Sequence, residues 1–252
     1  MGILYGIGIG AGDPQFLTYQ AVECIKKCNV IAVPDSGTGN FVAYDIVMQA
    51  IPELVQKKIV KIFMPMTKDK ILLEKYHKEG GTIILQYLEN NDVAFLTLGD
   101  PSIYATYMYI HKIVKKNGGQ VEMISGIPSF CSVSSTIGVS LTEGDEMLHI
   151  IPASASYNIE YALSLPGTKV LMKVGKSFQN IKQFLLQNDH KFDCYMVENC
   201  GMKTEKKYFS IKEFPEHTGY FTTIIIKDKK VNEKEGLNYD RNNWNETKRI
   251  IY

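Results

Sequence analysis

The stretch FLTLGDPSIYATYMYIHK, Phe95–Lys112, decides the fold. Phe95-Leu96-Thr97-Leu98 is a short apolar run of strand type, and beyond it Ile103, Tyr107, Ile110 and Val114 recur at helical spacing. Gly99-Asp100-Pro101-Ser102 joins the two, so a buried strand runs straight into a carboxylate. No lysine and no phosphate-cradling glycines follow. In an open α/β sheet, ligands bind beyond the carboxyl ends of the strands. A carboxylate at that edge favours ammonium or sulfonium charge, or ribose hydroxyls, over phosphate. S-adenosylmethionine carries all of these and no phosphate. The competing reading is that Asp100 only caps a helix beginning near Ser102.

Outward from this junction the chain alternates. Strands are predicted near 4–9, 29–33, 58–62, 92–98 and 120–124, with helices near 14–27, 41–49, 68–90 and 103–117. Asp13 is placed as the N-cap of the first helix with Pro14 at its first position, and Gly118-Gly119 ends the last. This alternation implies a parallel, helix-covered sheet. Beyond it the style changes. A helix is predicted over 128–137 and another over 177–188, with strands near 147–151, 168–173, 193–197 and 220–227 and turns at 152–156 and 165–167. The expected fold is therefore two α/β domains, the N-terminal sheet mostly parallel and the C-terminal one mixed. The divisions are 1–124, 125–227 and a polar tail, 228–252, with six basic and five acidic side chains.

Composition narrows the function classes. The 252 residues are 45% hydrophobic with a net charge of +1, which gives no global attraction to nucleic acid or anionic membrane. No apolar run approaches the ~20 residues of a membrane span. The five cysteines, at 24, 28, 131, 194 and 200, form no disulfide framework, and a cytoplasmic location is expected. Arg241 and Arg249 are the only arginines, both in the tail. A carboxylate-bearing substrate would meet lysines, hydroxyls, backbone amides and helix N-termini instead.

Four motifs compete for chemistry. Gly6, Gly8 and Ala11 satisfy a dinucleotide fingerprint after a strand, with Asp35 as a ribose partner. Asp13 at the head of the next helix argues against a pyrophosphate there, leaving the alternative that the glycines let this loop approach another backbone or a non-phosphate ligand. Cys24 and Cys28 share a helix face without a second pair of ligands, so core packing is expected and no protein-bound metal. His149, inside an apolar run, reads as a satisfied core histidine, and Glu198-Asn199-Cys200-Gly201 is either a turn or a ligand wall.

Taken together, GIGIGAGDPQFLT (6–18), NVIAVP (29–34), LGDPSIYATY (98–107), SGIPSFCSV (125–133) and ENCG (198–201) resemble the tetrapyrrole methyltransferases over about residues 3–227. Within that family, LGDPSIYATYMYIHK, GIPSFCSVSSTIGVSLTEGDEMLHIIPA and the closing GYFT look like the C20 methyltransferases of cobalamin biosynthesis. Ala11 and Ser125 stand where many relatives have proline. The resemblance implies S-adenosylmethionine folded between the domains, held by Gly99, Asp100, Ile103, Tyr104, Ser129, Met172, Asn199, Cys200, Thr222 and Thr223. It implies a precorrin-2 or cobalt-factor II acceptor, cobalt arriving only with the substrate, and a homodimer. Tyr104 is the sole catalytic candidate. Methylation at another tetrapyrrole position, a nicotinamide-dependent reductase and a non-catalytic ligand-binding module are the alternatives.

Overall fold

A computed structural model describes residues 1–154 and 158–229. The predicted turn at 152–156 therefore falls partly, and the polar tail from 230 onward wholly, outside the described residues. The first sheet holds β1 (Ile3–Gly8), β2 (Val30–Asp35), β3 (Lys58–Phe63), β4 (Val93–Thr97) and β5 (Gln120–Ile124), in the order β3-β2-β4-β1-β5. Every pairing is parallel. Such a sheet is buried on both faces, which is why the strands read as near-continuous apolar runs. One face packs on α1 (Tyr19–Lys27) and α2 (Val42–Ala50), through Ile7, Ile25, Ile46 and Leu96. The other packs on α3 (Lys70–Leu88) and α4 (Tyr107–Lys116), through Leu4, Ile84, Phe95 and Tyr107.

The second sheet contains β6 (Leu148–Pro152), β7 (Thr168–Met172), β8 (Phe192–Glu198), β9 (Lys206–Tyr208) and β10 (Thr222–Asp228), ordered β6-β7-β10-β8-β9. It is mixed: β6 and β7 run parallel, while β10 lies antiparallel to β7 and β8 and β9 lies antiparallel to β8. The period-two geometry of a strand explains its two cores. Ile224 and Ile226 face α6 (Ile159–Ser164) and α7 (Phe178–Gln187), whereas Ile225 turns to the opposite side with Phe130 and Val133 of α5 (Ser129–Ile137).

Three expectations change. The helix predicted over 14–27 is broken: Asp13 caps only a short 3-10 turn at Pro14–Phe16, and α1 starts anew at Tyr19 with the Thr18 hydroxyl accepting from the Ala21 amide (3.1 Å). Likewise α4 begins at Tyr107, not near 103, because Tyr104 has a left-handed φ of 49° that no helix admits. The short elements α6 and β9 were not foreseen; six and three residues are too few to establish a period.

The glycines of the first loop do bring backbones together. Gly10 and Gly99 exchange two backbone hydrogen bonds, linking the chain after β1 to the chain after β4. Gly126, after β5, packs on Gly99 and on Gly8 at the end of β1: a methyl group on its Cα would stand 2.2 Å from the Gly99 oxygen. Replacing Gly126 with Ala should cost about 1–3 kcal/mol of stability by overpacking, measured as a lowered urea midpoint at unchanged slope.

Candidate active site

All five strand ends of the first sheet converge on one cleft of about 410 Å³, within the ~300–1,000 Å³ range usual for small-molecule sites. Ala11 reaches it after β1, Pro34 and Ser36 at the end of β2, Met64 and Met66 after β3, Thr97 at the end of β4 with Leu98, Gly99, Asp100 and Ile103 after it, and Pro128 and Ser129 after β5. The second sheet closes the other side. Met172 and Lys173 come from the end of β7, Val197 and Cys200 from the end of β8, and Thr222 and Thr223 from the start of the antiparallel β10 between them. The two walls are joined directly. The backbone at Gly12 nearly touches that at Cys200, since a methyl group on Gly12 would stand 2.3 Å from the Cys200 oxygen.

That contact settles the glycine motif. Gly8 and Gly12 are packed against backbone, Gly8 against Gly126 and Gly12 against the turn after β8, so these glycines serve the close approach of chains. Asp35 is also spent on its own turn, its Oδ1 accepting from the Gly37 amide at 2.8 Å. The reason differs from the expected one, because Asp13 heads a 3-10 turn and not a helix.

Asp100 is 9% exposed and its carboxylate is fully engaged. Oδ1 accepts from the Ser102 amide (2.8 Å) and the Ser102 hydroxyl, and Oδ2 from the Gly126 amide (2.9 Å). Asp100 shapes its own loop, without starting a helix, and clasps that loop to the one after β5. Its negative charge nevertheless lines the cleft.

Of the ten residues expected to hold the methyl donor, all except Asn199 line this cleft. Asn199 instead makes the turn after β8, with φ 52° and its side-chain amide donating to the Thr204 carbonyl at 3.4 Å. Tyr104 is 42% exposed. Its hydroxyl donates to the Ile150 carbonyl (3.3 Å), and burial pushes its pKa up. Tyr104, the one catalytic candidate, lines the cleft. Thr222 and Thr223 are buried. The Thr222 hydroxyl donates to the Gly219 carbonyl, and Thr218 and the Gly219 amide donate to Glu198, fixing the loop that carries Tyr220 and Phe221.

Sequence reasoning missed several lining residues. The loop Ser36, Thr38 and Asn40 follows a parallel strand, so the strand-end rule could have found it. Met64, Met66, Lys173 and Tyr220 carried no local signal. Lys173 has a left-handed φ of 57°, and its ammonium lies 5.1 Å from the centre of the Tyr104 ring. Burial lowers its pKa. Tyr104 and Lys173 each bear a backbone cost of ~1–2 kcal/mol, the kind of strain that collects at functional sites. Elsewhere, Cys28 is buried with Cys24 packed against the same core, and His149 Nε2 meets the Pro166 carbonyl at 2.9 Å. Among the described residues no cluster of three or more potential metal ligands occurs, and no helix is long and apolar enough to cross a membrane.

Two helix-covered sheets meeting over a single cleft, with GDP and GIPS loops on its floor, define a methyltransferase of the tetrapyrrole type. The model of the tetrapyrrole (corrin/porphyrin) methylases matches residues 3–215, and the chain belongs to that family. It is 32% identical over 228 residues to a probable cobalt-precorrin-2 C(20)-methyltransferase of Methanocaldococcus jannaschii, covering 89% of this chain and 95% of the relative. It is 26% identical to a precorrin-2 C(20)-methyltransferase of a Sinorhizobium species, over 90% of this chain and 95% of that one. In fold it is similar to a cobalt precorrin-4 methyltransferase (TM-score 0.70, 16% identity, 89% of this chain and 94% of that one). It is similar also to uroporphyrin-III C-methyltransferase of Thermus thermophilus, solved with S-adenyl homocysteine (TM-score 0.65, 18% identity, 90% and 97%).

Because Asn199 is not among the residues lining the cleft, Asn199→Gly should leave ligand affinity in calorimetry unchanged. Relief of the left-handed backbone is offset by a freer unfolded chain and by loss of the bond to Thr204, so the melting temperature should shift by the equivalent of no more than about 1 kcal/mol.

Proposed function

We propose that the protein transfers a methyl group from S-adenosylmethionine to C20 of a reduced tetrapyrrole in cobalamin biosynthesis, the acceptor being precorrin-2 or its cobalt complex, cobalt-factor II. The observation that carries this reading is similarity along nearly the whole chain to two relatives bearing C(20)-methyltransferase names. The cleft fits the donor chemically. Its floor presents a carboxylate, hydroxyls and backbone groups, and Gly8 and Gly12 of the loop after β1 are packed against backbone.

In this reading the donor lies between an N-terminal unit, 1–124, and a second, 125–227, against Gly99, Asp100, Ile103, Tyr104, Ser129, Met172, Cys200, Thr222 and Thr223. When bound, it supplies a sulfonium methyl already activated for attack by an electron-rich carbon. The chain's task is then alignment and exclusion of water. Thr97, Cys200, Thr222 and Thr223, each under 10% exposed, form the dry depth of the cleft. Asp100 supplies fixed negative charge close to where sulfonium charge would sit, and its clasp holds two floor loops in register. The reading extends to a cytoplasmic homodimer with no resident metal.

A nicotinamide reductase is the reading this geometry least supports. Asp100→Ala should weaken S-adenosylmethionine binding by roughly tenfold or more, about 1.4 kcal/mol per decade, in isothermal calorimetry. Lost stability with unchanged affinity would reduce Asp100 to a loop clasp. An anaerobic assay offering precorrin-2 and cobalt-factor II side by side should yield a singly methylated product with the new methyl at C20 by NMR. Methylation of neither would overturn the proposal.

A further inference from the structure

The cleft's two charged side chains occupy different depths. Asp100 sits on the floor and is buried, whereas Lys173 is partly exposed beside Tyr104 at the mouth. Consecutive residues of a regular strand point to opposite faces, yet Met172 and Lys173 both line the cleft. Lys173 stands just past the end of β7 and has a left-handed backbone. Among the described residues no carboxylate pairs with this ammonium; its recorded neighbour is the Tyr104 ring, 5.1 Å away. Tyr104 is itself held by its bond to the Ile150 carbonyl and by a second left-handed φ. Around them the mouth is broad and apolar, with Met66 68% and Tyr220 59% exposed.

We infer that Lys173, seated on Tyr104, receives a peripheral carboxylate of the acceptor macrocycle and thereby fixes which edge of the ring faces the floor. This rests on the tetrapyrrole reading above. If the donor fills the depth, the acceptor must lie at the mouth, against Met66 and Tyr220, where a flat apolar ring finds surface. Its acidic side chains then need a cation. The described chain holds no arginine, and Lys173 is the only lysine lining the cleft. An ammonium on an aromatic face, with no carboxylate beside it among the described residues, can pair with an incoming anion. Burial lowers the lysine's pKa, and pairing with a carboxylate would oppose that shift.

The test is a steady-state comparison of wild type, Lys173→Gln and Lys173→Arg, with KM determined separately for acceptor and donor and kcat followed against pH. Lys173→Gln should raise the acceptor KM roughly tenfold, about 1.4 kcal/mol, with donor affinity in calorimetry unchanged. Lys173→Arg should recover part of that loss, and raised salt should mimic the Gln variant in the wild type. An unchanged acceptor KM in a folded Gln variant overturns the inference. So does a donor-specific loss, which would move the lysine to the donor's own carboxylate. A fall in kcat with loss of the wild type's rise in rate towards higher pH, and an intact KM, would assign the lysine to proton removal and overturn it as well. Should the wild type methylate no tetrapyrrole, the function itself fails and the inference falls with it. Wild-type turnover combined with an indifferent Gln variant sinks the inference alone.

Discussion

One carboxylate ties the floor of the cleft together. Asp100 accepts hydrogen bonds from its own loop at Ser102 and from Gly126 in the loop after β5. The backbone exchange between Gly10 and Gly99 adds the loop after β1 to the same assembly. Three parallel strands that are neighbours in the sheet, β4, β1 and β5, therefore end in loops that cannot move independently. A buried carboxylate is tolerated because donors from both loops satisfy it; without them its desolvation would be prohibitive. The rest of the site depends on this clasp, since Ile103, Tyr104, Pro128 and Ser129 take their places from the two loops it joins.

The second sheet contributes by a different device. Its strand order puts β10 between β7 and β8 and reversed against both, so the start of β10 sits beside the ends of its neighbours. That brings Thr222 and Thr223 alongside Met172 and Val197, which a purely parallel sheet could achieve only with strand ends. The Glu198 network with Thr218 and Gly219 then holds the approach to β10, and Tyr220 and Phe221 are displayed at the opening. Backbone contact between Gly12 and Cys200 locks one wall to the other.

Much of this was legible in the residues. Alternating apolar runs and helical stripes placed all five strands of the first sheet to within about two residues, because each strand is buried on both faces and each helix on one. The GDP, GIPS and ENCG segments led to the cleft, and nine of the ten assigned residues line it. The failures have physical causes. Asp13-Pro14 has the local chemistry of a helix start, but only the tertiary contact to Gly201 and the separate cap at Thr18 decide where the helix begins. Asn199 was assigned to the wall by analogy of position, whereas its left-handed turn takes it away. Lys173 escaped because facing the cleft depends on a backbone dihedral, which no spacing of residue types encodes.

Placing β10 at the centre of the second sheet has a consequence for biogenesis. It is the last described strand to be synthesised, yet it completes the wall opposite the GDP loop and carries the residues that bridge β7 and β8. A nascent chain that has emerged only as far as α7 has a finished first sheet and no pocket. Long-range closure of this kind is slow and leaves unpaired strand edges exposed while it waits. The cleft's full lining is therefore assembled only after translation has passed Thr223.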